Sequence, residues 1–79
     1  MGNITLEIKL YGAFRKFGDS VNIIIPKGSD MEQVKTALSK GLGEQVNDSA
    51  LANDNMILPK SYLFEQDATL SILPPVCGG

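Results

Sequence analysis

Ile4-Thr5-Leu6-Glu7-Ile8-Lys9-Leu10-Tyr11 alternates apolar with polar residues from Ile4 to Leu10. Side chains along a strand point to opposite faces with a period of two. The stretch therefore predicts a half-buried strand with Ile4, Leu6, Ile8 and Leu10 on one face. A second apolar run follows closely. Val21-Asn22-Ile23-Ile24-Ile25 is rich in β-branched residues and meets Pro26, which has no N–H to extend a ladder. Between the runs, Gly12 to Ser20 is polar, contains the turn signal Gly18-Asp19 and carries Arg15-Lys16 as a small basic pair. Two strands joined this closely predict a hairpin.

Pro26-Lys27-Gly28 then turns the chain towards a helix, for which Ser29 and Glu32 have capping-box spacing. Met31, Val34, Ala37 and Leu38 recur at helical spacing and predict one stripe facing the sheet, with Met31 as core filler. Gly41 and Gly43 are candidate helix ends. The pattern weakens from Glu44 to Asn55. There the turn clusters Asn47-Asp48-Ser49 and Asn53-Asp54-Asn55 bracket a short strand at Ala50-Leu51-Ala52. Met56-Ile57-Leu58 reads as a short edge strand ended by Pro59, and Tyr62, Leu63 and Phe64 as a cap on the core. Glu65-Gln66-Asp67 turns into a final alternating strand, Thr69-Leu70-Ser71-Ile72-Leu73.

A hairpin crossed by one helix, with a last strand returning to the sheet, predicts an α+β roll. The element order fits a ubiquitin-like β-grasp: a mixed sheet of four to five strands packed on one main helix. The first and last strands would lie side by side in parallel at its centre. The β-grasp domain is placed at residues 1–73 and an extended tail at 74–79.

Composition narrows the function. The chain has 79 residues, a net charge of −2, one cysteine and no histidine. That length allows one small core. No basic stripe invites nucleic acid. One cysteine without histidine argues against a disulfide framework or an ordinary zinc site, so no metal is expected. The commonest general base is also missing. A substrate, carrier or adaptor fits better than a stand-alone enzyme. No apolar run approaches a membrane span, and the N-terminus has no signal-peptide pattern. Myristoylation wants Ser or Thr where Leu6 stands, and Cys77 is third from the end, one place short of a prenylation cysteine. A cytoplasmic location is expected.

The chain ends Pro74-Pro75-Val76-Cys77-Gly78-Gly79. Two prolines fix φ, remove two donors and predict an extended root, while Gly-Gly makes a thin thread that fits a narrow channel. Six residues span at most roughly 20 Å at about 3.3 Å each, enough to enter a partner's active site. The group on offer is then the C-terminal carboxylate rather than a side chain.

Leu70 to Gly79 resembles the C-terminus of the molybdopterin synthase small subunit family, which ends in apolar residues, Pro-Pro-Val, a small residue and Gly-Gly. Ile8-Lys9-Leu10-Tyr11-Gly12-Ala13-Phe14-Arg15 is similar to that family's first strand and the helix-like turn after it. The wider group includes the thiamine-pathway sulfur carrier, which shares the fold and the Gly-Gly end. The resemblance implies that Gly79 is the working residue. Its carboxylate would be adenylated by a ubiquitin-activating-type enzyme using ATP and magnesium, with no cofactor bound by this chain. Sulfur transfer, drawing indirectly on a sulfur donor protein, would then make a thiocarboxylate. Pro74, Pro75, Val76, Cys77 and Gly78 would thread into the large synthase subunit, where the sulfur passes to a cyclic pyranopterin in molybdenum cofactor biosynthesis.

Strand alternation also proposes a partner-binding patch. With Leu70 and Ile72 inward, Leu73 points outward; with Val21, Ile23 and Ile25 inward, Ile24 points outward. Leu73 and Ile24, with Tyr11 on the same face, are expected to form an apolar patch near the tail root. The family often has an aromatic at the position of Leu73. It usually has Ala, Ser or Thr at the position of Cys77, whose thiol reads as small enough for the same channel; the alternative for that thiol is a part in sulfur relay or a mixed disulfide with a partner. The alternatives are a sulfur carrier serving thiamine, cysteine or another thio-metabolite, and a ubiquitin-like modifier amide-linked to lysines through Gly79. A fourth reading is an interaction module with an inert tail.

Overall fold

Residues 2–54 and 56–74 are described by a computed structural model of the chain. Pro75, Val76, Cys77, Gly78 and Gly79 lie outside the described residues, and so does nearly all of the tail placed at 74–79. In β1 (Asn3–Leu10) exposure alternates residue by residue, with Ile4, Leu6, Ile8 and Leu10 buried. It forms an antiparallel hairpin with β2 (Ser20–Pro26), setting Ile4 opposite Ile25 and Ile8 opposite Val21. A short β3 (Ser29–Asp30) leads into α1 (Met31–Leu42), and β4 (Ala50–Asn53), β5 (Met56–Ile57), β6 (Leu63–Phe64) and β7 (Ala68–Leu73) follow.

The main sheet has the order β2-β1-β7-β4-β5, and β3 pairs with β6 in a separate two-stranded ribbon. β1 and β7 run parallel at the centre, with Ile8 beside Leu70 and Leu10 beside Ile72. β4 lies antiparallel on the other side of β7, with Leu51 opposite Ile72. This is the α+β β-grasp expected from the element order: a mixed five-stranded sheet on one main helix. The helix buries Met31, Val34, Leu38 and Leu42 against the sheet's inner face. Each such side chain contributes about 1.5–3 kcal/mol of burial free energy. No helix among the described residues is long and apolar enough to cross a membrane.

Several local expectations shift. The helix cap is Asp30, not Ser29: Asp30 Oδ1 accepts from the Gln33 N–H at 2.9 Å, and Gln33 Oε1 accepts from the Asp30 N–H at 3.0 Å. The box is displaced by one residue because the hydroxyl of Ser29, which is buried, already donates to the Pro26 carbonyl at 2.6 Å. The helix passes through Gly41 because Leu42 still lies on the buried stripe. It stops at Gly43, whose φ of 94° few other residues tolerate.

The connection from β1 to β2 is more than a polar loop. Gly12–Phe17 forms a 3₁₀ helix that inserts Phe14 into the core. A second 3₁₀ helix, Glu44–Asp48, inserts Val46. In β6 the strand period separates two residues expected to act together: Phe64 is buried, packing edge-on to Tyr62 at 4.8 Å between ring centroids, whereas Leu63 points to solvent.

Candidate docking face and arm base

β7 is the strand that delivers the tail, and it is paired on both sides. Its outward residues, Thr69, Ser71 and Leu73, share a face with the outward residues of β1. Leu73 stands opposite Ala50, Ser71 opposite Ala52, and Ala52 in turn opposite Ile57. Extending the β1–β7 register by one residue sets Tyr11, still in extended conformation, level with Leu73. These neighbours enclose a shallow groove of about 270 Å³ lined by Tyr11, Ala52, Ile57, Ser71 and Leu73. Tyr11 is 42% exposed, Ile57 60% and Leu73 36%. These exposed apolar side chains gather on one face around the end of the last strand, which makes the groove a candidate docking site.

Ile24 does not join them. It faces the same side and is 69% exposed, but the hairpin register sets it opposite Thr5. Thr5 and Tyr11 are separated by most of β1, about 20 Å at ~3.3 Å per residue. Between them the outer face is polar. Glu7 accepts hydrogen bonds from the hydroxyls of Thr69 at 3.4 Å and Ser20 at 3.5 Å, and Lys9 is flanked by Ser20 and Ser71. Alternation gives Ile24 its face correctly, but the reversal at the hairpin carries it away from the tail root. The patch is completed from the other edge of the sheet, by Ile57 and Ala52. Sequence reasoning missed both, because the pairing of so short a strand as β5 leaves no periodic signal.

At the arm base, Pro74 is half-buried and its ring lies against Gly12. Gly12 has φ 59°, in the left-handed region, where the chain leaves β1 for the 3₁₀ helix. Its neighbours hold that turn in place. The Phe14 N–H donates to the Tyr11 carbonyl at 3.1 Å, and the Leu10 N–H to the Asp19 carbonyl at 2.9 Å. Arg15 and Asp19, both exposed, make an ion pair at 3.3 Å across the same turn.

Larger clefts lie elsewhere: about 340 Å³ beside Asp30, Lys35 and Lys60, and about 320 Å³ between Phe17, Ile23 and Ala37. Neither is lined by a residue of β7 or by Pro74. Among the described residues no three His, Cys, Asp or Glu side chains are grouped to hold a metal ion.

No family model and no curated sequence matches this chain. Its likeness to known proteins is one of three-dimensional structure. The HVO 2177 protein of Haloferax volcanii superposes with a TM-score of 0.78 at 17% identity, covering 99% of this chain and 89% of that one. A protein of Pyrococcus furiosus described as molybdopterin converting factor, subunit 1, gives 0.76 at 15% identity, covering 92% and 99%. The ubiquitin of Caldiarchaeum subterraneum gives 0.73 at 12% identity, covering 99% and 100%. At these identities the likeness establishes the ubiquitin-like fold.

Proposed function

We propose that this chain is a sulfur carrier, the small subunit of a molybdopterin synthase, acting through the carboxylate of Gly79. One observation carries the reading. The central strand β7 ends beside the exposed groove of Tyr11, Ile57 and Leu73, and the sequence then continues as Pro74-Pro75-Val76-Cys77-Gly78-Gly79. A docking surface and a reactive terminus are thus joined by a short link. The fold shared with a molybdopterin converting factor subunit supports the same reading.

The chemistry suits a chain without histidine. A carboxylate is a poor electrophile. Attack of one of its oxygens on the α-phosphate of ATP releases pyrophosphate and leaves an acyl adenylate, whose AMP is a good leaving group. A persulfide sulfur of the donor then displaces AMP to give an acyl disulfide. A second thiol cleaves it as a disulfide forms between the two thiols, and the thiocarboxylate released holds sulfur in an ionised, nucleophilic form at neutral pH. Magnesium, ATP and the proton-transferring groups belong to the activating enzyme, as does the stabilisation of developing charge. The carrier supplies a docking face, an arm and a terminal glycine without a side chain. The large synthase subunit receives the arm, and a cyclic pyranopterin receives the sulfur.

Mass spectrometry of the intact chain tests this after incubation with ATP, magnesium, a ubiquitin-activating-type enzyme and a sulfur donor. Exchange of one oxygen for sulfur at Gly79 is expected, and it disappears when Gly79 is deleted. An unchanged terminus under conditions that load an authentic carrier overturns the proposal. The shared fold with a ubiquitin favours a second reading, amide linkage of Gly79 to lysines of other proteins. That reading predicts branched peptides ending in this chain's Gly-Gly in place of the sulfur exchange.

A further inference from the structure

We propose that Gly12 is a positioning residue for the C-terminal arm: its bare Cα is the seat on which the Pro74 ring rests, fixing where the arm leaves the sheet. A Cβ built on Gly12 would lie 2.6 Å from Pro74 Cγ and 3.4 Å from Pro74 Cδ. Carbon atoms at optimal separation are about 3.5–4.0 Å apart, so the ring occupies the space a side chain would need. The two residues meet because β1 and β7 are parallel neighbours. Leu10 is level with Ile72, so the chain leaving β1 and the chain leaving β7 emerge side by side.

The seat is anchored from below. Two residues after Gly12, in the same short 3₁₀ helix, Phe14 is fully buried. Backing the turn away from Pro74 would draw Phe14 from its packed position in the core, where even small displacements forfeit contacts. Moving Pro74 costs far less, since it is only half-buried and follows the last residue of β7. A side chain at position 12 therefore redirects the arm rather than the turn. The required displacement is on the order of 1 Å, a misplacement that can cost about a hundredfold in rate when it reaches a reacting group. Gly12 thus sets the arm's point of departure through its contact with Pro74.

The activity readout of this inference rests on the carrier reading; the structural readout does not. A double-mutant cycle on the full chain uses Gly12→Ala, Pro74→Ala and the pair. The structural arm measures the nuclear Overhauser effect between Gly12 Hα and the Pro74 ring protons. It also measures line broadening from a nitroxide on Cys77, the chain's one cysteine. The contact is expected in the wild type. Gly12→Ala should change the broadening pattern on the outer sheet face, and much less so in the Pro74→Ala background.

The activity arm measures pyrophosphate exchange by the activating enzyme. Gly12→Ala should slow it at least about tenfold when Pro74 is intact and less than about twofold in the Pro74→Ala background, the signature of coupled neighbours. Thermal unfolding separates this from backbone strain, which Gly12→Ala introduces equally in both backgrounds. Absence of the Overhauser effect, or additive effects on exchange and broadening, overturns the seat. No exchange even by the wild type overturns the carrier reading and leaves the structural arm to decide the seat.

Discussion

The backbone N–H of Thr5 donates to the carboxylate of Asp67 at 2.8 Å, joining the start of β1 to the residue just before β7. The partners are 62 residues apart in sequence. The bond ties the two central strands one residue before their ladder begins at Leu6 and Ala68. Asp67→Ala should lower unfolding stability by about 1 kcal/mol, the usual worth of one hydrogen bond, whereas Asp67→Asn keeps an acceptor and should lose less. Urea unfolding of both variants decides. An equal loss would mean that charge, not the accepted hydrogen bond, matters at this position.

The register of the outer face separates two apolar residues that alternation alone groups together. Leu73→Asp and Ile57→Asp should each weaken docking to the activating enzyme or the large subunit more than about tenfold, or roughly 1.4 kcal/mol. Ile24→Asp, at the far end of the sheet, should change it less than about twofold. Calorimetric titration of the three variants against one partner is the measurement. Loss on Ile24→Asp equal to that on Leu73→Asp would move the docking face to the middle of the sheet.

Cys77 stands where the resembled family carries another small residue. Cys77→Ala should load sulfur at a rate within about twofold of the wild type, because nothing in the surrounding sequence favours a reactive thiolate. Deleting Gly79 should abolish loading. A stalled Cys77→Ala variant with an unchanged fold would give the thiol a part in sulfur relay.

Phe14 is the anchor of the turn as well as a core residue. Phe14→Ala should cost about 3–5 kcal/mol, a large share of what a small domain has. Leu38→Ala, in the middle of the helix stripe, should cost about 2–5 kcal/mol. Denaturant titration reads both. Losses below about 1 kcal/mol at either site would show that the core relaxes around the gap.

Much of this fold was legible because its longest elements carry periodic signals. The period of two in Ile4 to Leu10 and in Leu70 to Leu73, and the helical recurrence of Met31, Val34 and Leu38, assign faces without ambiguity. What was not legible depends on register and on short pieces. Ser29 and Asp30 are both acceptable caps, and only the use of the Ser29 hydroxyl by Pro26 decides between them. Leu63 and Phe64 are equally apolar, and only pairing with β3 sends one inward. Ile57 joins the exposed groove through a two-residue strand, and Gly12 meets a proline at the far end of the sequence. The working terminus was read from composition and resemblance, and Gly79 stays a proposal to be tested by mass.

The placement of β7 between β1 and β4 has a mechanical consequence. A partner that drew on the chain beyond Pro74 in line with β7, as the carrier reading supposes, would load that strand along its axis. Such a load strains the hydrogen bonds of both flanking ladders together, in shear, instead of opening them one after another. The same load on an edge strand would be borne by one ladder instead of two. On the carrier reading, an arm rooted on the central strand would be gripped, loaded and withdrawn with two ladders holding the domain together.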